Sequence, residues 1–254
     1  MKPIYSVLML LLWTPVFAQI KALNFKQGNQ LLRLTKNEVN NLEKHDLAKI
    51  WTQTDNSMIF GFIGDNHQRI RVRFISVQKD QLNPAIYHVA GKTMVKGNIC
   101  DFKGDIIITT ISKYKNTSGG TDNEYKSRVK AEYALKGKYL FNENKTQNHV
   151  GVFKGAFQSD IYIDNKGDIH YDDIDKVSDS YSNNQFVGTW TSYDGKITKV
   201  CNWGDYRIPN AGNFDVGAGE FSPNAKDVSL GWQSYIDQGT SAAAKREEQH
   251  IWWK

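Results

Sequence analysis

The sequence predicts a mainly β protein, an antiparallel barrel or sandwich, with one short helix towards each end. Three observations carry that expectation. From residue 58 onward, strand-length apolar or alternating stretches recur at short intervals with no long helical pattern between them. Turn-forming clusters such as Gly64-Asp65-Asn66 and Asp164-Asn165-Lys166-Gly167 separate them. The composition also suits a β core: 40% of the chain is hydrophobic and 12% aromatic, too much for a disordered chain.

Residues 1–18 read as a secretory signal peptide. Lys2 gives a positive start, Val7 to Trp13 form a short apolar run, Pro15 breaks it, and Val16-Phe17-Ala18 supplies the small residues of a cleavage site. The run is shorter than the roughly 20 apolar residues of a membrane span. Gln19 follows the expected cut, so the lipid-attachment cysteine of bacterial lipoproteins is missing. The mature chain is therefore expected to be exported, periplasmic or extracellular, with no membrane span. Removing 18 of 254 residues leaves 236, enough for one large β domain or two small ones.

An N-terminal segment, 19–57, comes first. Within it Thr35-x-x-Glu38 is a capping box, and Val39, Leu42 and Leu47 follow at roughly helical spacing, which predicts a helix over about 36–49. The β domain follows over 58–254, as one unit or as two, about 58–141 and 142–254. Residues 58–63 and 69–74 read as a hairpin, with Ile70, Val72 and Phe74 on one face and Arg69, Arg71 and Arg73 on the other. Further strands are expected at 86–90, 92–99, 105–113, 125–136, 150–153, 156–163, 168–173, 186–193, 196–201 and 228–236. Residues 114–124, 175–185 and 209–227 read as irregular. Ser241 caps a short C-terminal helix ending near Gln249, after which Ile251, Trp252 and Trp253 dock the chain end. A faint repeat relates Cys100–Ile108 to Cys201–Ile208, each read as a strand end, a Gly-Asp turn and a second strand.

Charge is unevenly divided. Residues 19–140 hold 20 Lys or Arg against 11 Asp or Glu, and residues 141–254 hold 11 against 16. Such a division serves solubility or attracts a charged partner. No basic run is dense enough for nucleic acid. The two cysteines, Cys100 and Cys201, are expected to form one disulfide in an oxidising compartment, closing a loop of about 100 residues, with two buried thiols as the competing reading.

Three clusters compete as functional sites. The stripe of Arg69, Arg71 and Arg73 sets guanidiniums about 7 Å apart on one strand face, fit for an anionic partner or for cross-strand acids. Asp160, Asp164, Asp168, Asp172, Asp173, Asp175 and Asp179 recur without the EF-hand order, which favours solvated turns over a calcium site. The third is Trp203, Asp205, Tyr206 and Arg207 with Asp215 and Glu220 of the Gly-rich loop. It combines an aromatic floor, carboxylates and a guanidinium, the makings of a glycan or peptide site. No metal-ligand spacing, nucleotide loop or G-x-S-x-G element accompanies them, so no metal, cofactor or catalytic residue is assigned. Gly188-Thr189-Trp190 resembles the G-x-W of lipocalin-like barrels, a likeness of three residues that implies at most a barrel. The leading functional expectation is an exported protein that binds a ligand or partner. The alternatives are a hydrolase using the carboxylates of the Gly-rich loop, and an inhibitor or immunity-type protein that blocks an enzyme.

Overall fold

The structure, a computed structural model, describes residues 44–254 and the backbone of 31–33. The signal peptide expected at 1–18 and most of the helix expected at 36–49 lie outside these residues. Where that helix was expected to end, Ala48–Trp51 form a single 3-10 turn that buries Ile50 and Trp51.

The described residues form eleven strands: β1 (Leu31–Arg33), before that turn, and after it β2 (Ile59–Ile63), β3 (Gln68–Arg69), β4 (Arg71–Lys79), β5 (Ile86–Val95), β6 (Asn98–Tyr114), β7 (Val129–Glu143), β8 (Gly151–Asp164), β9 (Ile169–Tyr171), β10 (Asn183–Ser192) and β11 (Thr198–Asp205). They pair antiparallel in one curled sheet of order β3-β2-β11-β10-β8-β7-β6-β5-β4, with β1 added to β6 and β9 to β8. The two ends of that path, β3 and β4, are successive pieces of chain joined at Ile70. The Ile70 N–H donates to Gly61 of β2, so the sheet turns back on itself there. The expected division near residue 141 falls inside β7, which pairs with β6 on one side and β8 on the other. Among the described residues no helix is long and apolar enough to cross a membrane.

The strands are longer and fewer than the sequence suggests. One turn is Lys96-Gly97, both at positive φ, between Val95 and its partner Asn98. Two positive φ values suit the twist of a tight hairpin. Cys100 to Ile108 then runs unbroken along β6, so Gly104-Asp105 makes no turn and the apparent repeat with Cys201–Ile208 is not a repeated hairpin. Gly104 serves close approach instead: a Cβ there would lie 1.9 Å from the Leu140 carbonyl oxygen on β7. Gly104→Ala should therefore destabilise the protein by about 1–3 kcal/mol, checked by the urea midpoint. An unchanged midpoint would show that β6 and β7 separate without cost. Residues 228–236 form no strand. Trp232 N–H donates to Val228 and Ile236 N–H to Trp232, leading into helix α1 (Gln233–Asp237). The helical spacing of Val228, Trp232 and Ile236 outweighs their β-type composition. Helix α2 (Ala242–Gln249) forms where expected, with Ser241 Oγ accepting from Ala244 N.

Two apolar layers share β2. Alternate residues of a strand face opposite sides, so Ile59 and Ile63 face the sheet interior while Phe60 and Phe62 face outward. The interior is packed with aromatic rings, among them Phe74, Phe141, Phe157, Phe186 and Trp203, with Phe186 and Trp203 stacked at 4.9 Å and 8°. Outside, Phe60 and Phe62 meet Ile208, Phe214, Phe221 and Trp232 of the C-terminal segment. Burial on both sides explains why β2 reads as a continuous apolar run.

Candidate functional site

Cys201, Trp203 and Asp205 occupy alternate positions of β11 and line its inner side, with Asp205 at the strand's C-terminal end. Asp205 is only 4% exposed. Three donors converge on its Oδ2: Thr54 Oγ1 at 2.7 Å, Asn184 Nδ2 at 2.8 Å and the Tyr171 hydroxyl at 2.9 Å. Asn184 is itself fixed. Its amide also donates to the Ile50 carbonyl at 2.7 Å, and its Oδ1 accepts from Ser159 Oγ at 2.7 Å, which in turn accepts from Trp51 Nε1. Asn184 holds a positive φ of 44° at an irregularity of β10, a conformation Asn tolerates better than most side chains. Burial pushes the Asp205 carboxyl up against the pull of its three hydrogen bonds and the Arg73 charge, to about 7.

Beside Asp205 lies a small cavity, partly open to solvent and lined by Trp51, Ile59, Val72, Phe74, Asn184, Phe186, Trp203 and Asp205. It offers about 20 Å³ to the centres of water-sized groups, room for one or two of them. No donor among the described residues reaches Asp205 Oδ1. Around the cavity the sheet interior is packed by the aromatic core.

Of the six residues expected to share a ligand surface, Trp203 and Asp205 line this cavity and the others do not. Tyr206 packs edge-on against Tyr181 at positive φ. Arg207 donates to Asp215 Oδ2 at 2.8 Å and to the carbonyls of Gly217 and Ala218, while Asp215 Oδ1 accepts from Gly217 N and Ser222 N. These two residues fold the Gly-rich loop. Glu220 is exposed. Asp215→Ala should therefore cost about 1–3 kcal/mol of local stability and open residues 215–222 to limited proteolysis. Glu220→Ala should stay within about 0.5 kcal/mol. Equal protection of the loop in both variants would contradict this division of roles.

The arginine stripe does face away from Ile70, Val72 and Phe74, yet it is not a free docking surface. Arg69 grips Glu248 of α2 with Nη1 and Nη2 at 2.7 and 2.6 Å, and Arg71 Nη2 reaches the same carboxylate at 3.0 Å. Both arginines are buried. Arg73 is half-buried, donates to the carbonyls of Thr52 and Thr54, and lies 5.1 Å from the Trp253 ring. Glu248 lies in a helix whose existence the sequence shows but whose docking partner it does not.

At the opposite end of the sheet interior, Glu143 closes β7. Its carboxylate accepts from Thr93 Oγ1, Gly151 N and Trp190 Nε1 at 2.7–2.9 Å, and burial raises its pKa. Trp190 of Gly188-Thr189-Trp190 is thus a structural anchor in a late strand, β10. Cys100 and Cys201 are free, buried thiols. They sit on β6 and β11, with β7, β8 and β10 between, so the expected disulfide is not formed. In the aspartate series, Asp164 closes the β8–β9 turn by accepting from Lys166 N and Asp168 N, Asp160 accepts from the Tyr114 hydroxyl, and no cluster fit for a metal occurs among the described residues. Comparison with known proteins finds no matching family model, no similar curated protein and no similar solved structure.

Proposed function

We propose that this chain is an exported binding protein whose ligand is held at the Asp205 end of the barrel. The observation that carries the reading is a buried carboxyl with one oxygen saturated by three donors, on a residue that lines a cavity. A pocket of aromatic walls with one convergent polar group is the usual form of a ligand site. A near-neutral carboxyl in such a pocket is expensive to keep, and perturbed groups of this kind concentrate at functional sites. Export rests on the leader of residues 1–18. Hydrolysis by paired carboxylates draws less support, because it needs two carboxyl groups about 5–10 Å apart across one cleft and Asp205 is the only acid among the described residues that line this one.

Equilibrium dialysis tests the site. The mature chain and its Asp205→Asn variant are dialysed against the low-molecular-weight fraction of the native compartment. The proposal expects a molecule retained by the parent chain and released by the variant. Equal retention by both proteins places binding elsewhere, and retention by neither defeats the reading. Export is checked by intact mass from the native host, where a chain beginning at or near Gln19 is expected and one retaining Met1 refutes it.

A further inference from the structure

The cavity beside Asp205 has a definite chemical character. Among the described residues lining it, Asp205 is the only charged one and Asn184 the only other with a polar side-chain group besides the two indoles. Both amide hydrogens of Asn184 are already used, on Ile50 and on Asp205 Oδ2. The indole N–H of Trp51 is used on Ser159. Trp203 carries the one indole N–H of the lining that has no partner among the described residues, and an incoming group meets it and the Asp205 carboxyl within walls made by the rings of Trp51, Phe74, Phe186 and Trp203. A carboxylate among aromatic rings attracts a cation twice, by charge and by the ring quadrupole. An anionic ligand is repelled by the same carboxylate.

Size narrows the class. Space for one or two water-sized groups admits an –NH3+ on a slender stem. A planar guanidinium, a quaternary ammonium and a sugar ring are each larger than that space. We propose that the cavity is a receptor for a primary ammonium group, seated on Asp205 Oδ1 and carried by a small alkylamine, a lysine side chain or a peptide N-terminus. This rests on the Asp205 cavity being the ligand site.

The surrounding charges set how such binding responds to pH. Tyr171 from β9 donates to Asp205, and Tyr181 lies beside that hydroxyl. Burial pushes both phenols far up, so both stay protonated. Arg73 from β4 is a cation acting on Asp205, and its guanidinium is committed to the Thr52 and Thr54 carbonyls. An alkylamine stays charged up to about pH 10. With an alkylamine or lysine, the group that changes charge across pH 6–8 is thus Asp205, which must release its proton to receive the ligand, whereas a peptide N-terminus, titrating near 8, begins to lose its own charge in the same range.

The test uses the mature chain and follows the indole N–H signals of Trp51 and Trp203 by NMR. The probes are methylammonium chloride, methanol as the neutral isostere, Nα-acetyl-lysine methylamide, and glycinamide, at matched chloride. Methylammonium is expected to shift these signals saturably, with affinity rising about tenfold from pH 6 to pH 8. Asp205→Asn is expected to weaken it at least tenfold while methanol has no effect on either protein. The lysine and glycinamide arms show which stem the opening admits. If Asp205→Asn fails to fold, the pH profile of the parent chain carries the test alone. Methanol binding as well as methylammonium overturns the ammonium class and leaves the site standing. Methylammonium binding that is flat with pH and unchanged in Asp205→Asn overturns both. Silence from every probe overturns the ammonium class, and the dialysis experiment then decides the site.

Discussion

Replacing Glu248 with Gln should destabilise the protein by about 3–5 kcal/mol, the largest loss expected from any single exposed-face or helix substitution in this chain. Glu248 is 3% exposed, and Arg69 and Arg71 are each 7% exposed. The carboxylate accepts a bidentate pair from Arg69, a third bond from Arg71 and a fourth from the Ser234 hydroxyl. Without its charge, the buried Arg69 loses its anion and Arg71 keeps only the half-exposed Glu247 at 3.3 Å. Removing one partner of a buried ion cluster is costly because the remaining charge stays desolvated. The measurement is the urea midpoint of the Glu248→Gln variant, with the change in slope recorded to detect detachment of α2. A loss under about 1 kcal/mol, the worth of an exposed pair, would show that water reaches the cluster.

Acid should act on the same clasp. Burial alone would raise the Glu248 pKa, but the Arg69 hydrogen bonds and charge, with Ser234 and Arg71, outweigh it and hold the carboxyl below its ordinary value. A carboxyl held lower in the folded state than in the unfolded one contributes stability above its unfolded pKa and loses it as pH falls through the folded value. The clasp should therefore weaken below about pH 4.

The arginine stripe shows how far local sequence reaches. Strict alternation over 69–74 was enough to assign opposite faces, because side-chain direction in a strand depends only on neighbours. It gave no hint of what covers the polar face, since Glu248 lies 179 residues from Arg69. The same holds at the cavity. Asp205 and Trp203 stand out in sequence as an acid and an aromatic two residues apart, the spacing that shares one strand face. Thr54, Tyr171 and Asn184, which bind the carboxyl, come from three separate stretches with no common pattern. Arg207, Asp215 and Glu220 were grouped with Asp205 by proximity in the chain. The end of β11 divides them, leaving Asp205 inside the barrel and the others in the loop outside. Strand lengths were misread for a related reason. Glycines such as Gly104 punctuate a sequence in the same way whether they make a turn or admit a crossing backbone.

Replacing Asp205 with Asn should stabilise the protein above pH 7 while removing its binding. Burial pushes the carboxyl up to about 7 in the folded chain, whereas an unfolded aspartate titrates near 3.9. Between roughly pH 4 and pH 7 the folded state keeps a proton that the unfolded state has released. Stability contributed by that proton is complete below about pH 4, falls as pH rises, and is gone above about pH 7. Three pKa units at 1.36 kcal/mol each make the total on the order of 4 kcal/mol. Asparagine cannot ionise. Its side-chain oxygen can take the place of Oδ2 before Thr54, Tyr171 and Asn184, and its amide then takes the place of Oδ1. The difference in unfolding free energy between variant and parent should therefore grow from near zero at pH 4 to a few kcal/mol in favour of the variant at pH 8. Parallel pH profiles for the two proteins would remove the argument, since they would mean that Asp205 titrates as freely folded as unfolded. A residue whose neutral substitute yields a firmer fold has no structural reason to carry a charge. Strain of that kind clusters at functional sites, and here it falls on a residue that lines the cavity.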